Sequence, residues 1–226
     1  MHLDCTHYSQ FEDIEILAVA ISRPRPSLKQ QHAGIIFRDD AGELKLLDLQ
    51  WHYSLSLAPP TDSFVWLDVP LDDISKTHLA TICQVIADLN KEEGIPYSIS
   101  TEGASILHTG EFFGKHLHSG FTCATFVLAI FESQGFRVVD YRNWISRPSD
   151  KKWQLQIIQN LQRSGATPEY IAGQVKQLSS GADRFRPEEV CAAISVGSWP
   201  AGYEETKEPA AEVLEYTIKH ATNTHV

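Results

Sequence analysis

The stretch HSGFTCATFV, residues 118–127, places a cysteine where a loop becomes a helix. A helix is predicted over 121–134, because its apolar residues share one face and Gly135 follows as a C-cap. A thiol in the first turn of a helix lies near unpaired backbone N–H groups and the positive end of the helix dipole. Such surroundings lower a cysteine pKa and favour the reactive thiolate, so Cys123 is a candidate nucleophile.

The chain before this helix is rich in strand patterns, and the chain after it is rich in helix patterns. Strands are predicted at 14–22, 32–38, 44–52 and 64–69, with a further short strand at 94–100. Residues 101–119 are expected to be irregular. Helices are predicted at 72–90, 150–163, 167–179, 187–195 and, more weakly, 205–220. The order predicts an α+β fold: a small antiparallel sheet packed on the cysteine helix as a core over 1–140, with a helical C-terminal extension over 141–226 packed on that core.

A thiolate that attacks a carbonyl needs a nearby base, and usually a third group that holds the imidazole in one tautomer. His32 is the candidate base because it begins a strand that leads into a tight hairpin. The turn is predicted at 39–42, where Gly42 is free to adopt a positive φ. A rigid strand end of this kind can hold an imidazole at a constant distance from a helix start.

The register of the hairpin indicates which residues could be the third group, the one that orients the His32 imidazole. If Asp39 pairs with Glu43 around the turn, Gln50 lies opposite His32, and Asp48 lies one pair nearer the turn on the same face. A slip of one residue would move these side chains to the other face. The candidates for the third group are Gln50 and Asp48, nearly equal, and then His52.

The two segments together resemble a known family. HAGI at 32–35, followed by a hairpin and a strand with a polar residue, resembles the histidine hairpin of NlpC-type papain-fold hydrolases, and FTCATFV at 121–127 is similar to their cysteine helix. The histidine precedes the cysteine, which resembles the circularly permuted branch, including lecithin:retinol acyltransferase-like proteins and permuted bacterial amidases. The resemblance covers about residues 14–136. It implies Cys123 as nucleophile, His32 as base and a polar residue of 44–52 as the orienting group.

The resemblance implies a papain-like cysteine peptidase or amidase that works through an acyl-enzyme and requires no cofactor. The cysteine segment lacks the Asn-Cys-Glu-His box of the acyltransferases, and no C-terminal membrane anchor of their kind is expected, so a hydrolase of amides, esters or isopeptides is favoured. One suggested substrate is a cell-wall peptide. The alternatives are a thiol-dependent lipid acyltransferase or thioesterase, and a non-catalytic binding or immunity-type module of the same fold.

No signal peptide can be read in the sequence, so the chain is expected to be cytoplasmic as synthesised. Action on a cell-wall peptide would then require a dedicated secretion route, as for a secreted toxin effector. The expected partners are a peptide or another amide or ester substrate, and on this hypothesis a secretion partner or a cognate inhibitor.

The tetrahedral intermediate would need an oxyanion hole. The backbone N–H of Cys123 is the first candidate donor, and the weaker candidates for oxyanion or substrate contacts are Tyr97, Thr122 and His118. Three histidines, His108, His116 and His118, together with Cys123 raise the alternative of a zinc site. No second cysteine or glutamate completes it at a familiar spacing, so no metal is predicted.

Composition excludes several other functions. The 226 residues carry a formal net charge of -10, which disfavours binding to DNA, RNA or anionic membranes. No apolar run is long enough to span a bilayer. No two of the four cysteines have C-x-x-C spacing, so reduced thiols are expected. Besides Cys123 they are Cys5, Cys83 and Cys191.

Overall fold

The structure, a computed structural model, describes residues 11–25 and 30–221. It is an α+β fold, as predicted. Five antiparallel strands form a sheet with the order β4-β3-β2-β1-β5. The strands are β1 (Leu17–Arg25), β2 (Gln30–Arg38), β3 (Leu44–Trp51), β4 (Ser54–Ala58) and β5 (Phe64–Asp68).

The described part of the chain contains six α-helices, four of them in the C-terminal region. They are α1 (Asp73–Asn90), α2 (Cys123–Ser133), α3 (Pro148–Arg163), α4 (Pro168–Ser179), α5 (Pro187–Val196) and α6 (Tyr203–His220). A small hairpin of β6 (Ala104–Ile106) and β7 (Phe112–Gly114) lies between α1 and α2. Short 3-10 helices occur at Phe11–Asp13 and Tyr141–Asn143.

The β2–β3 hairpin has the predicted register. The Asp39 N–H donates to the Glu43 carbonyl at 3.0 Å, and Gly42 has a φ of 77°. The Asp39 carboxylate also accepts the N–H groups of Ala41 and Glu43, which holds the turn. The pairs that follow are Arg38↔Leu44, Phe37↔Lys45, Ile36↔Leu46 and Ile35↔Leu47.

Three segments differ from the prediction. Ser54–Ala58 forms the unpredicted strand β4, which Tyr53 reaches through a turn with a φ of 58°. Residues 104–106 and 112–114 pair inside the segment expected to be irregular. The predicted strand at 94–100 is wrong: this buried chain makes one isolated bridge, from Tyr97 to Phe121. Side chains of α4 bind its backbone instead, which local sequence does not indicate.

The hydrophobic core lies mainly between the sheet and α2, and it continues into the C-terminal helices. Ala33, Ile35 and Phe37 of β2 share one buried cluster with Phe126 and Ile130 of α2. The same cluster contains side chains of the helical region, among them Ile157, Val190, Ile194 and Val213. The C-terminal helices are therefore part of the same core as the sheet. The opposite face of the sheet has a smaller cluster that includes Ile36 and Leu46.

A buried ion network fastens α3 to α5. Asp150 has no exposed surface, and its carboxylate accepts from Arg147 Nε at 2.7 Å, Arg186 Nη2 at 3.0 Å and Arg184 Nη1 at 3.4 Å. Arg147 also binds Glu189 of α5 through both guanidinium arms. The network therefore fixes α3 relative to α5 within the helical region.

Candidate active site

Cys123 is the first residue of α2, so it lies in the first turn as predicted, although the helix begins two residues after the predicted start at 121. Thr122 is the N-cap: its hydroxyl accepts the Thr125 N–H at 3.1 Å, and the Thr125 hydroxyl accepts the Thr122 N–H at 2.8 Å. This reciprocal capping fixes the first helical turn. Cys123 is 5% exposed, so its thiol is held inside the protein. The Thr122 hydroxyl is a weak candidate for substrate contacts in the sequence. In the structure this hydroxyl caps the helix instead.

His32 is paired with Asp48. Its Nε2 lies 2.6 Å from Asp48 Oδ2, and the Asp48 side chain is only 3% exposed. Gly34 explains why this diagonal pair forms, because a Cβ at that position would lie 3.0 Å from the Cβ of Asp48. With no side chain between them, the carboxylate leans towards the imidazole. Gln50, the other leading candidate, is exposed and lines a cavity beside the pair.

The Cys123 thiol interacts with the His32 ring, the Ala33 backbone N–H and the Tyr97 hydroxyl. Since His32 Nε2 faces Asp48, Nδ1 is the ring nitrogen left for the thiol. Burial acts to raise the pKa of Cys123, but the His32 charge and these hydrogen bonds outweigh it and lower the thiol pKa below its usual range. Burial likewise opposes the charged imidazolium, but the Cys123 charge and Asp48 together raise the pKa of His32 to about 10. Thiolate and imidazolium therefore stabilise each other.

The other described thiols are unlike Cys123. Cys83 and Cys191 are fully buried, and burial raises the pKa of both well above the ordinary range. All three described cysteines are free thiols. Cys5 lies outside the described residues. Cys123 is thus the one described thiol whose surroundings favour the reactive form.

Tyr97 is held against Cys123 by its own backbone. Its N–H donates to His52 Nδ1 at 3.1 Å, and its carbonyl accepts the Tyr170 hydroxyl at 2.8 Å. Its ring packs on Trp51, with centroids 4.8 Å apart. Burial and then the Cys123 charge raise the pKa of Tyr97 far above its usual range, so its hydroxyl remains a neutral donor. His52, the third candidate for orienting His32, therefore positions Tyr97 instead.

Helix α4 clamps the loops on either side of the cysteine. Gln174 accepts the Ile99 N–H at 3.0 Å and donates to the His118 carbonyl at 2.9 Å. Gly173 lets His118 approach the helix, since a Cβ there would lie 2.3 Å from the imidazole. His118 thus packs on α4, where its ring also stacks on His116. A polar stripe at helical spacing, made of Tyr170, Gln174 and Gln177, was the sequence signal for this clamp.

A cavity of about 820 Å³ opens beside the pair of His32 and Asp48. Strand residues and the loop between β4 and β5 form one wall, and the end of α3 forms the other. The Trp51 indole N–H donates to the Ser164 hydroxyl at 3.3 Å, which joins the two walls. The volume of this cavity is within the range of small-molecule sites. Its neutral polar lining consists of Ser22, Gln30, Gln50, Ser56, Thr61, Ser63, Asn160 and Ser164.

No group of three histidine, cysteine, aspartate or glutamate side chains could hold a metal ion within residues 11–25 and 30–221. In the same part of the chain, no helix has the length and apolarity needed to cross a membrane. The chain matches no protein-family model, no curated protein and no solved structure. A function for this chain can therefore be inferred only from the geometry of the site.

Proposed function

We propose that this chain is a cysteine hydrolase of the amidase or peptidase type. The observation that carries the proposal is the position of His32 between the Cys123 thiol and the Asp48 carboxylate, 2.6 Å from the latter. This is the order of groups that nucleophilic catalysis by a thiol requires: nucleophile, base and orienting carboxylate. The NlpC-type resemblance assigns the same roles to the cysteine and the histidine.

In this mechanism the Cys123 thiolate attacks a substrate carbonyl carbon, and a carbon–sulfur bond forms. The His32 imidazolium donates its proton to the leaving amine or alcohol as the scissile bond breaks. Water then attacks the acyl-enzyme while neutral His32 takes one of its protons, and the carbon–sulfur bond breaks to restore the thiolate. The Cys123 backbone N–H and the neutral Tyr97 hydroxyl beside it are suited to stabilise the oxyanion.

Iodoacetamide labelling near pH 6 tests the proposed nucleophile. Cys123 should react much faster than the other thiols, because its pKa is lowered while burial raises those of Cys83 and Cys191. Cys123→Ala is the control that should remove the fast phase, and His32→Ala should slow it. Uniformly slow labelling of all thiols would refute a thiol enzyme and favour a non-catalytic module.

The cavity lining favours a peptide over a lipid. The amide side chains of Gln30, Gln50 and Asn160 can pair with peptide N–H and C=O groups. Incubation with cell-wall peptides and, separately, with phospholipid vesicles, followed by mass spectrometry, distinguishes the substrates. New peptide fragments that disappear with Cys123→Ala would support the amidase. Loss of fatty acyl chains instead would favour the acyltransferase or thioesterase.

A further inference from the structure

The cavity beside the candidate active site has an unbalanced charge. Among the described residues that line it, only His32, Asp48 and Arg163 have side chains that carry charge near neutral pH. His32 and Asp48 pair with each other. The whole sequence has 29 acidic and 19 basic residues, yet Asp48 is the single carboxylate in the described lining. The guanidinium of Arg163 is therefore the one charge of the lining that remains for a ligand.

The side chain of Arg163 has no partner among the residues that the structure describes. Within residues 11–25 and 30–221 it forms no hydrogen bond or ion pair, although it is exposed on the cavity side of the last turn of α3. Three other arginines of the helical region are used differently, since Arg147, Arg184 and Arg186 all bind Asp150. Arg163 is thus distinct from the arginines that hold the fold.

The end of α3 is fixed relative to the sheet. The Trp51–Ser164 hydrogen bond joins this helix end to β3, and Ile157 on the same helix is buried in the main core. The backbone of Arg163 therefore stands at a constant position across the cavity from His32. A ligand that reaches from Arg163 to His32 must pass the amide and hydroxyl groups that line the cavity.

We propose that the substrate of this site carries a carboxylate that Arg163 binds while its scissile carbonyl lies at Cys123. The inference rests on the proposed hydrolase function and names its substrate class: a peptide or acyl amide with a free carboxylate on the part that fills the cavity. A guanidinium binds a carboxylate through two parallel hydrogen bonds, which fixes both distance and orientation. Arg163 is thus a specificity-determining residue, and it takes no part in bond cleavage.

The test uses reagents that alkylate the thiolate and need no turnover. These are chloroacetyl peptides of one to four glycines, each made with a free C-terminal carboxylate and as the matched C-terminal amide. Alkylation forms a carbon–sulfur bond at Cys123 and releases chloride. At one chain length the carboxylate form should react about tenfold faster than the amide, since only that length spans the cavity. The preference should weaken in high salt.

Substitution at Arg163 assigns the preference to this side chain. Arg163→Gln should reduce the carboxylate-to-amide rate ratio to about one or below, because the net charge of the chain repels anions. Arg163→Lys should retain part of the preference. Iodoacetamide should label both variants at the wild-type rate. If the glutamine substitution slows both peptide forms equally, Arg163 only supports the helix end and the proposal is wrong.

The controls also separate this proposal from the proposed function. Fast iodoacetamide labelling of Cys123 together with a ratio of one at every chain length would refute the carboxylate substrate and leave the hydrolase intact. If iodoacetamide labels Cys123 no faster than a simple thiol, the hydrolase itself fails, and the substrate class fails with it.

Discussion

The carboxylate of Asp48 lies 2.6 Å from the imidazole of His32, diagonally across the β2–β3 hairpin. Diagonal neighbours in antiparallel strands are farther apart than directly opposed ones, so this contact needs a cause. The cause is Gly34, the residue opposite Asp48 in the register, whose missing side chain leaves room for the carboxylate. The orientation of the proposed base thus depends on a glycine that makes no polar side-chain contact.

Asp48→Asn should weaken the charged form of His32. The amide preserves the size of the side chain but removes the negative charge that helps to hold the imidazolium. The thiol pKa should rise in turn, which lowers the fraction of thiolate at a given pH. Alkylation by iodoacetamide across pH measures the thiol pKa. Asp40→Asn, the same change at an exposed position of the hairpin turn, is the control and should leave the profile unchanged. An unchanged profile in Asp48→Asn would contradict the assignment.

Gly34→Ala should disturb the same pair without adding a polar group. The new Cβ would lie 2.9 Å from the Leu47 carbonyl and 3.0 Å from the Asp48 Cβ, so backbone must move. We expect a loss of about 1–3 kcal/mol in the free energy of unfolding, and slower alkylation of Cys123. Gly202→Ala is the control, since its Cβ would meet nothing closer than 3.8 Å. Equal effects of both substitutions would argue against a specific role of Gly34.

The pH dependence of turnover should be a broad bell. The reaction needs Cys123 as thiolate, and its lowered pKa places the rising limb below the ordinary thiol range. It also needs His32 protonated to donate to the leaving group, so activity should fall as pH rises through about 10. Initial rates from pH 4 to 11 measure both limbs. A rising limb at an ordinary thiol pKa would show that the ion pair is absent.

Tyr170→Phe should impair Tyr97 from a distance. It removes the hydroxyl that donates to the Tyr97 carbonyl at 2.8 Å and leaves that buried acceptor without this partner, at a cost of about 1–3 kcal/mol in stability. If Tyr97 supports the oxyanion, turnover should fall about tenfold while KM remains constant. Tyr53→Phe is the matched control because its side chain is 50% exposed. A change in KM alone would point to a substrate contact instead.

Asp150→Asn should loosen the helical region. Burial acts to raise the pKa of Asp150, but hydrogen bonds from Arg147 and Arg186 outweigh it and hold the pKa below its usual range. The carboxylate thus contributes stability at neutral pH that is lost as pH falls through its folded pKa. Removing it leaves the largely buried guanidinium groups of Arg184 and Arg186 without this carboxylate, at a cost of about 3–5 kcal/mol. Denaturant unfolding measures the loss, and Asp183→Asn, an exposed neighbour, should cost much less.

Local rules made part of the site predictable. Turn chemistry at Asp39 and Gly42 determined the hairpin register, and that register placed His32, Asp48 and Gln50 on one face. Capping by Thr122 determined where α2 begins and so the position of Cys123 in its first turn. These features depend on residues a few positions apart, whose interactions are encoded by spacing alone.

Tertiary contacts decided the rest. The choice of Asp48 over Gln50 depends on space above Gly34, which becomes visible only when two strands pack. Tyr97 depends on Tyr170, 73 positions away, and the wall of the cavity depends on Trp51 meeting Ser164, 113 positions away. The sequence by itself determined which residues stand at the ends of a strand and a helix. Only the tertiary structure brought those ends together, because the energy that joins them comes from burial shared by elements far apart along the chain.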